Sequence, residues 1–164
     1  MRVICNTSPL VGLMKIGRLN LLPQLFDEVI IPQAVLDELC ADPKRHSSES
    51  EQILAMVNRQ ELHVYTVKNE AAVKLMYGKL HYGELEVIVG AKELGLTVAV
   101  IDERAARKTA QAFLIQTLGI LGILLLAKER GLVQEIKPDL DHLRASGYRI
   151  ADPLYEKILR DANE

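Results

Sequence analysis

Tryptophan is missing from this chain, and aromatic residues of all kinds make up only 4% of it. That scarcity weighs against any function built on aromatic platforms for stacking bases, such as an RNA-recognition sheet. Cysteine is nearly absent too. Cys5 and Cys40 stand far apart, make neither a disulfide framework nor a zinc signature, and fit a reducing cytoplasm. Neither sign of charge dominates: 20 Lys and Arg against 22 Asp and Glu leave a net charge of −2. A global basic footprint for nucleic acid is therefore excluded, although a local basic rim around an acidic pocket is not. No charged segment followed by an apolar one opens the chain, so no signal peptide is expected. The most apolar run, residues 118–127, falls well short of the ~20 residues needed to span a bilayer and reads as a buried helix.

What is present suits one soluble domain with a sizeable core: 164 residues, 49% hydrophobic and 26% charged. Residues 3–5 are apolar without alternation, as in a strand buried on both faces, and 29–31 and 97–101 read as two further strands. A fourth strand is expected near 62–67. Between them lie helical patterns: Ser8 as cap with Pro9 at the first helical position and the helix running to 16, then 19–25, 33–40, 51–59, 70–76, 83–94 and 103–112. After 112 an apolar stretch leads into a helix that ends near 130, and two amphipathic helices close the chain near 140–145 and 153–162. Polar residues 42–50 read as a mobile surface loop. Strands alternating with helices predict an α/β fold, a three-layer α/β/α sandwich with a central parallel sheet. Residues 1–164 form a single domain in this scheme, with 132–164 as a C-terminal helical extension.

Open α/β sheets bind ligands outside the carboxyl ends of their strands. Asn6 and Asp102 stand at two such ends, each just before a helix. Glu38 lies on the helix after the second strand. Glu84 lies in the first turn of a buried helix, where the dipole favours a carboxylate. Oxygen donors of this kind select magnesium or manganese, which activate water and neutralise a phosphodiester. Taken singly, any helical glutamate is more often a solvated surface charge, and Asp102 serves equally well as a helix cap.

Five blocks strengthen the case: Asn6-Thr7-Ser8-Pro9-Leu10, Ile31-Pro32-Gln33-Ala34-Val35-Leu36-Asp37-Glu38-Leu39, Gly83-Glu84-Leu85-Glu86-Val87-Ile88, Ile101-Asp102-Glu103-Arg104-Ala105-Ala106-Arg107, and the run from Gly119 to Lys128. In this order they resemble the PIN-domain family, and most of all a prokaryotic branch of predicted nucleic-acid-binding proteins. The tail, Gly147-Tyr148-Arg149-Ile150 with Leu154-Tyr155, is similar to the same branch. The resemblance implies an α/β/α fold and a Mg2+- or Mn2+-dependent ribonuclease site acting on RNA. It also implies kinship with toxins of VapBC-type toxin–antitoxin pairs, held by a small antitoxin protein and often homodimeric. The family's four acidic positions fall on Asn6, Glu38 (with Asp37 its neighbour), Glu84 and Asp102. Glu86 is ambiguous, because side chains two apart on a helix diverge by roughly 200°. Thr7 or Ser8 would support a ligand or a water from behind.

Two departures stand out. Asn6 is an amide where the family has an acid: its oxygen coordinates, but it brings no charge and is a poor base. This predicts three carboxylates instead of four, and a single or weakly held metal. Around Gly119, Leu118 and Ile120 replace the usual threonines. Arg104, Arg107 and Lys108 are candidates for phosphate contact, followed by Lys15 and Arg18. His81 precedes Gly83 and reads as a surface residue. The competing function is a PIN-like module that binds RNA or protein without useful catalysis. A phosphoacceptor domain ranks below both, because Asn6-Thr7 stands where it needs an acidic pair.

Overall fold

The computed structural model describes residues 1–41 and 48–164. These form, in chain order, β1 (Arg2–Cys5), α1 (Thr7–Lys15), α2 (Leu21–Leu25), β2 (Glu28–Pro32), α3 (Gln33–Ala41), α4 (Glu49–Asn58), β3 (His63–Tyr65), α5 (Glu70–Met76), α6 (Tyr82–Glu93), β4 (Val98–Val100), α7 (Arg104–Ala112), β5 (Gln116–Leu118), α8 (Ile120–Glu129), α9 (Lys137–Ala145) and α10 (Asp152–Asp161). Of the polar segment 42–50, residues 42–47 lie outside the described residues, and Glu49 and Ser50 already belong to α4.

All the strand pairs are parallel, in the order β3-β2-β1-β4-β5. Val3, Ile4 and Cys5 of β1 and Val29, Ile30 and Ile31 of β2 are buried, as central strands covered on both faces must be. The edge strands β3 and β5 are half-exposed and polar at one end. That is why Gln116–Leu118 carries no strand signal in sequence and reads only as part of an apolar stretch.

Helices cover both faces of the sheet. On one, α6 packs on β1, β2 and β4; α2 lies on β2 and, with α1 and α10, against α8. Gly90 lets α6 sit low: a Cβ there would come within 3.0 Å of Ile4 Cδ1 and 3.4 Å of Val67 Cγ2. Gly17, at φ +67°, supplies the left-handed turn that ends the first helix. Burial of the Cys5 thiol between these layers pushes its pKa up, so it behaves as a core residue.

Residues 132–164 fold back onto this frame. Leu140, Leu143, Ile150 and Ile158 are buried, while Leu154, on the stripe expected for α10, is exposed. Arg18 donates from Nε to both oxygens of buried Asp139, at 3.1 and 3.0 Å. The Glu164 carboxylate accepts from the backbone N–H groups of Ile136 (2.7 Å) and Lys137 (2.9 Å), closing the start of α9.

Ile88, fully buried on α6, tests this packing. Ile88→Ala should cost about 2–5 kcal/mol, read in urea as a lower midpoint with an unchanged slope.

Candidate active site at the carboxyl edge of the sheet

The connection leaving β1 runs to one side of the sheet and the one leaving β4 to the other, so a crevice opens between their carboxyl ends. Cys5 pairs with Val100, and the Asn6 N–H donates to the Val100 carbonyl at 2.9 Å. Asn6 therefore leaves the sheet with its position fixed. It occupies the cap position of α1 in extended conformation, yet its side chain makes no cap bond. Instead Nδ2 donates to Glu103 Oε2 at 3.1 Å, and the Ser8 hydroxyl donates to Oε1 of the same carboxylate. Ser8 is thus not the cap expected from sequence. The helix begins at Thr7, which puts Pro9 third, still inside the first turn where a missing N–H costs little.

Thr7 turns the other way and donates from Oγ1 to Glu38 Oε2 at 2.8 Å. Gly83 closes this corner: a Cβ on it would stand 3.4 Å from Glu38 Oε2 and 3.7 Å from Asn6 Oδ1. The next residue, Glu84, is buried. Its Oε2 accepts the His81 N–H at 2.9 Å, so the carboxylate closes the start of its own helix. Glu86 points elsewhere, accepting the Ala34 N–H at 3.0 Å and tying α3 to α6. The divergence expected of these two glutamates is visible here.

Asp102 follows β4. The cap it provides belongs to α8 rather than to α7, the helix directly after it: Oδ1 accepts the Ile120 N–H at 3.0 Å. Gly119 makes the approach feasible, since a Cβ there would lie 2.6 Å from that oxygen. The other oxygen, Oδ2, is buried with no donor in hydrogen-bonding geometry. Burial therefore holds the Asp102 carboxyl above its ordinary range. The Ile120 N–H and the nearby Tyr148 phenol oppose that rise, the Glu103 charge adds to it, and Arg107 opposes it. Arg107 donates from Nε to Thr117 Oγ1 at 3.1 Å, which ties α7 to β5.

These groups line two adjoining clefts. One, of about 380 Å³, is bounded by Asn6, Thr7, Ser8, Glu38, Glu84 and Glu103, with His81 and Tyr82 at its margin. The other, of about 1270 Å³, contains Asp102 and is rimmed by the cations Lys15, Arg104 and Arg149. Thr7, Ser8, Glu38 and Glu103 form the wall common to both. Lys108 lines neither, and Arg18 is taken up by Asp139.

The four positions singled out in sequence thus meet at one edge, with Glu84 facing one cleft and Asp102 the other. Glu103 is the participant that sequence reasoning missed. Its signal was an acid directly beside Asp102, opposite an amide at the first position. Counting it, four carboxylates border the two clefts: Glu38, Glu84, Asp102 and Glu103. The hydroxyl beside Gly119 comes from Thr117, and it serves Arg107. Among the described residues, no three acidic, imidazole or thiol groups are gathered closely enough to hold a metal ion.

A family model described as a PIN domain matches residues 2–164. The chain belongs to the PIN-domain family, a nuclease-type fold associated with nucleic acid whose members generally use divalent metal ions. No curated protein matches it. No helix among the described residues is long and apolar enough to cross a membrane.

Asp102→Asn should stabilise the protein at neutral pH, because the amide keeps an oxygen for the Ile120 N–H and carries no charge to be buried. The folded state holds the Asp102 proton more tightly than the unfolded chain does. Wild-type stability contributed by this group is therefore intact in acid and lost as pH rises through the raised folded value. Thermal melts across pH should show the gap between variant and wild type closing as pH falls into the ordinary carboxylate range.

Proposed function

We propose that the protein is a metal-dependent endoribonuclease. The observation that carries this is the convergence of four carboxylates at the sheet's switch point, where Asp102 keeps a buried oxygen with nothing to accept from. The donors fit a hard cation in kind, because every one is an oxygen. Asp102, Glu38, Glu84 and the Asn6 amide oxygen are the donors that would hold Mg2+ or Mn2+, with Glu103 adding charge beside them; among the described residues no three acids stand close enough to do so as placed, so binding would have to draw them together across the shared wall. Such an ion supplies an activated water and neutralises charge on the phosphate.

The chain's own residues do the rest. Thr7, Ser8 and Asn6 are neutral donors that hold Glu38 and Glu103 in place without adding charge. Lys15, Arg104 and Arg149 stand where a phosphate backbone would pass the larger cleft. A small antitoxin protein and a second copy of this chain are proposed partners on the strength of the family alone. The second reading, a module that binds without cleaving, draws support from carboxylates already satisfied by protein donors.

Manganese-dependent cleavage of single-stranded RNA separates the two readings. Activity should fall on the order of 10²–10⁴-fold in Asp102→Ala, the scale of one directly acting group. No cleavage in the wild type or in Asn6→Asp would favour the binding module.

Asn6→Asp also probes the metal directly, since it exchanges the donor to Glu103 for a like charge. Without metal, the variant should be less stable than wild type at neutral pH by about 1–3 kcal/mol. Calorimetry should then show it binding manganese more tightly. Equal affinity and stoichiometry in the two proteins would rule out a metal site limited by Asn6.

A further inference from the structure

Between Glu70 and Glu84 every ionisable side chain that carries charge is basic or, for His81, can become so: Lys74, Lys79 and His81. In a chain of net charge −2 this is a local excess, and it surrounds two of the five tyrosines. Tyr77 and Tyr82 stack on each other with ring centroids 4.7 Å apart and planes inclined by 27°. Both remain open to solvent, at 56% and 47% exposure. Lys74, Lys79 and His81 are exposed beside them, and neither lysine is ion-paired among the described residues.

The stack is held in place from both sides. The Asn69 side chain caps α5 by accepting the Ala72 N–H at 3.0 Å, and Glu93 accepts the backbone N–H groups of Lys68 and Asn69. Tyr82 begins α6, whose first turn is closed by Glu84. Tyr82 and His81 also line the smaller acidic cleft together with Asn6, Glu38 and Glu103.

We infer that Tyr77 and Tyr82 form a stacking platform for a nucleobase of single-stranded RNA, with Lys74 and Lys79 holding the flanking phosphates, at the mouth of the acidic cleft. A single strand is required, because the bases of a duplex offer no free face. The surrounding basic charge favours a polyanion over an apolar protein surface as occupant. The low aromatic content weighed against such a platform; the stacked pair is the observation set against that expectation, since one pair in the right place suffices. The choice of RNA rests on the ribonuclease reading; the platform itself is tested without catalysis.

The test is fluorescence anisotropy of a short labelled single-stranded oligoribonucleotide in EDTA, so that no cleavage occurs. Tyr82→Ala and Tyr77→Ala should each weaken binding roughly five- to a hundredfold, while Tyr82→Phe binds like wild type. The loss should shrink on an oligonucleotide with abasic positions. Lys74→Ala and Lys79→Ala should instead weaken all sequences alike and lower the dependence of log affinity on log salt by about 0.7 per lost phosphate contact. Circular dichroism checks that each variant is folded. If wild type binds the strand and the folded tyrosine variants bind it equally well, the platform is wrong and the ribonuclease reading stands. Tyrosine variants that bind RNA normally but change the oligomeric state would make the patch a protein contact and overturn the inference. A wild type that binds no single strand would remove both.

Discussion

The reversal of strand order between β1 and β4 is the constraint on which the rest of the site depends. It brings the residues after two buried strands to one edge without any loop having to reach for them. The Asn6 N–H on the Val100 carbonyl continues the parallel ladder one residue past the strand, so the point at which the chain turns is set by the sheet. Asn6, Thr7 and Ser8 then fan out over the crevice, and Asp102 and Glu103 face them from β4. The buried Val-Ile runs of β1 and β2 matter for function in this indirect way: they fix the register that positions the polar residues following them.

Placing several carboxylates together in a partly buried crevice is unfavourable unless each finds compensation. This chain compensates with neutral donors rather than with paired cations. Glu103 receives the Asn6 amide and the Ser8 hydroxyl, Glu38 the Thr7 hydroxyl, Glu84 the start of α6, and Asp102 the start of α8. Lys15, Arg104 and Arg149 stand at the rim, and Arg107 acts on Asp102 through its charge without a hydrogen bond. An arrangement of this kind keeps its negative potential, which salt bridges would cancel. It also gives the amide at Asn6 a physical purpose that an acid could not serve. An aspartate there would face Glu103 as a second negative charge.

Much of the architecture was legible in the sequence because its cause is local. Unbroken apolar runs marked the central strands, and glycines marked the ends of helices. What escaped was determined by partners distant in the chain. β5 is an edge strand, so Gln116 and Thr117 need not be apolar and leave no pattern. The cap given by Asp102 serves a helix that starts 18 residues later, which no local signature encodes. Glu103 was hidden for the same reason, since its partners are 97 and 95 residues away. Ser8 looked like a cap because serine before proline often is one, but a carboxylate from another strand takes its hydroxyl. Composition likewise carries no information about where the few tyrosines lie, so the stacking of Tyr77 on Tyr82 was not legible in it.

The C-terminal extension belongs to this logic rather than being appended to it. Arg18 on Asp139 and the Glu164 carboxylate at the start of α9 anchor it to the main body. Gly12 on α1 leaves room for what the extension brings: a Cβ there would meet Ile120 Cδ1 at 2.8 Å, with Leu143 and the Tyr148 ring both at 3.9 Å. Tyr148 and Arg149 therefore complete the wall of the cleft that holds Asp102. Burial and the Asp102 charge both push the Tyr148 pKa up, so the phenol stays neutral beside the carboxylate. The phenol dipole lies near Asp102 and favours the charged carboxyl, but without the hydrogen-bond geometry that Asn6 and Ser8 have to Glu103. Leu140, Leu143, Ile150 and Ile158 belong to the same buried core as the strands, so the segment that brings Tyr148 to Asp102 is held by the packing that holds the sheet.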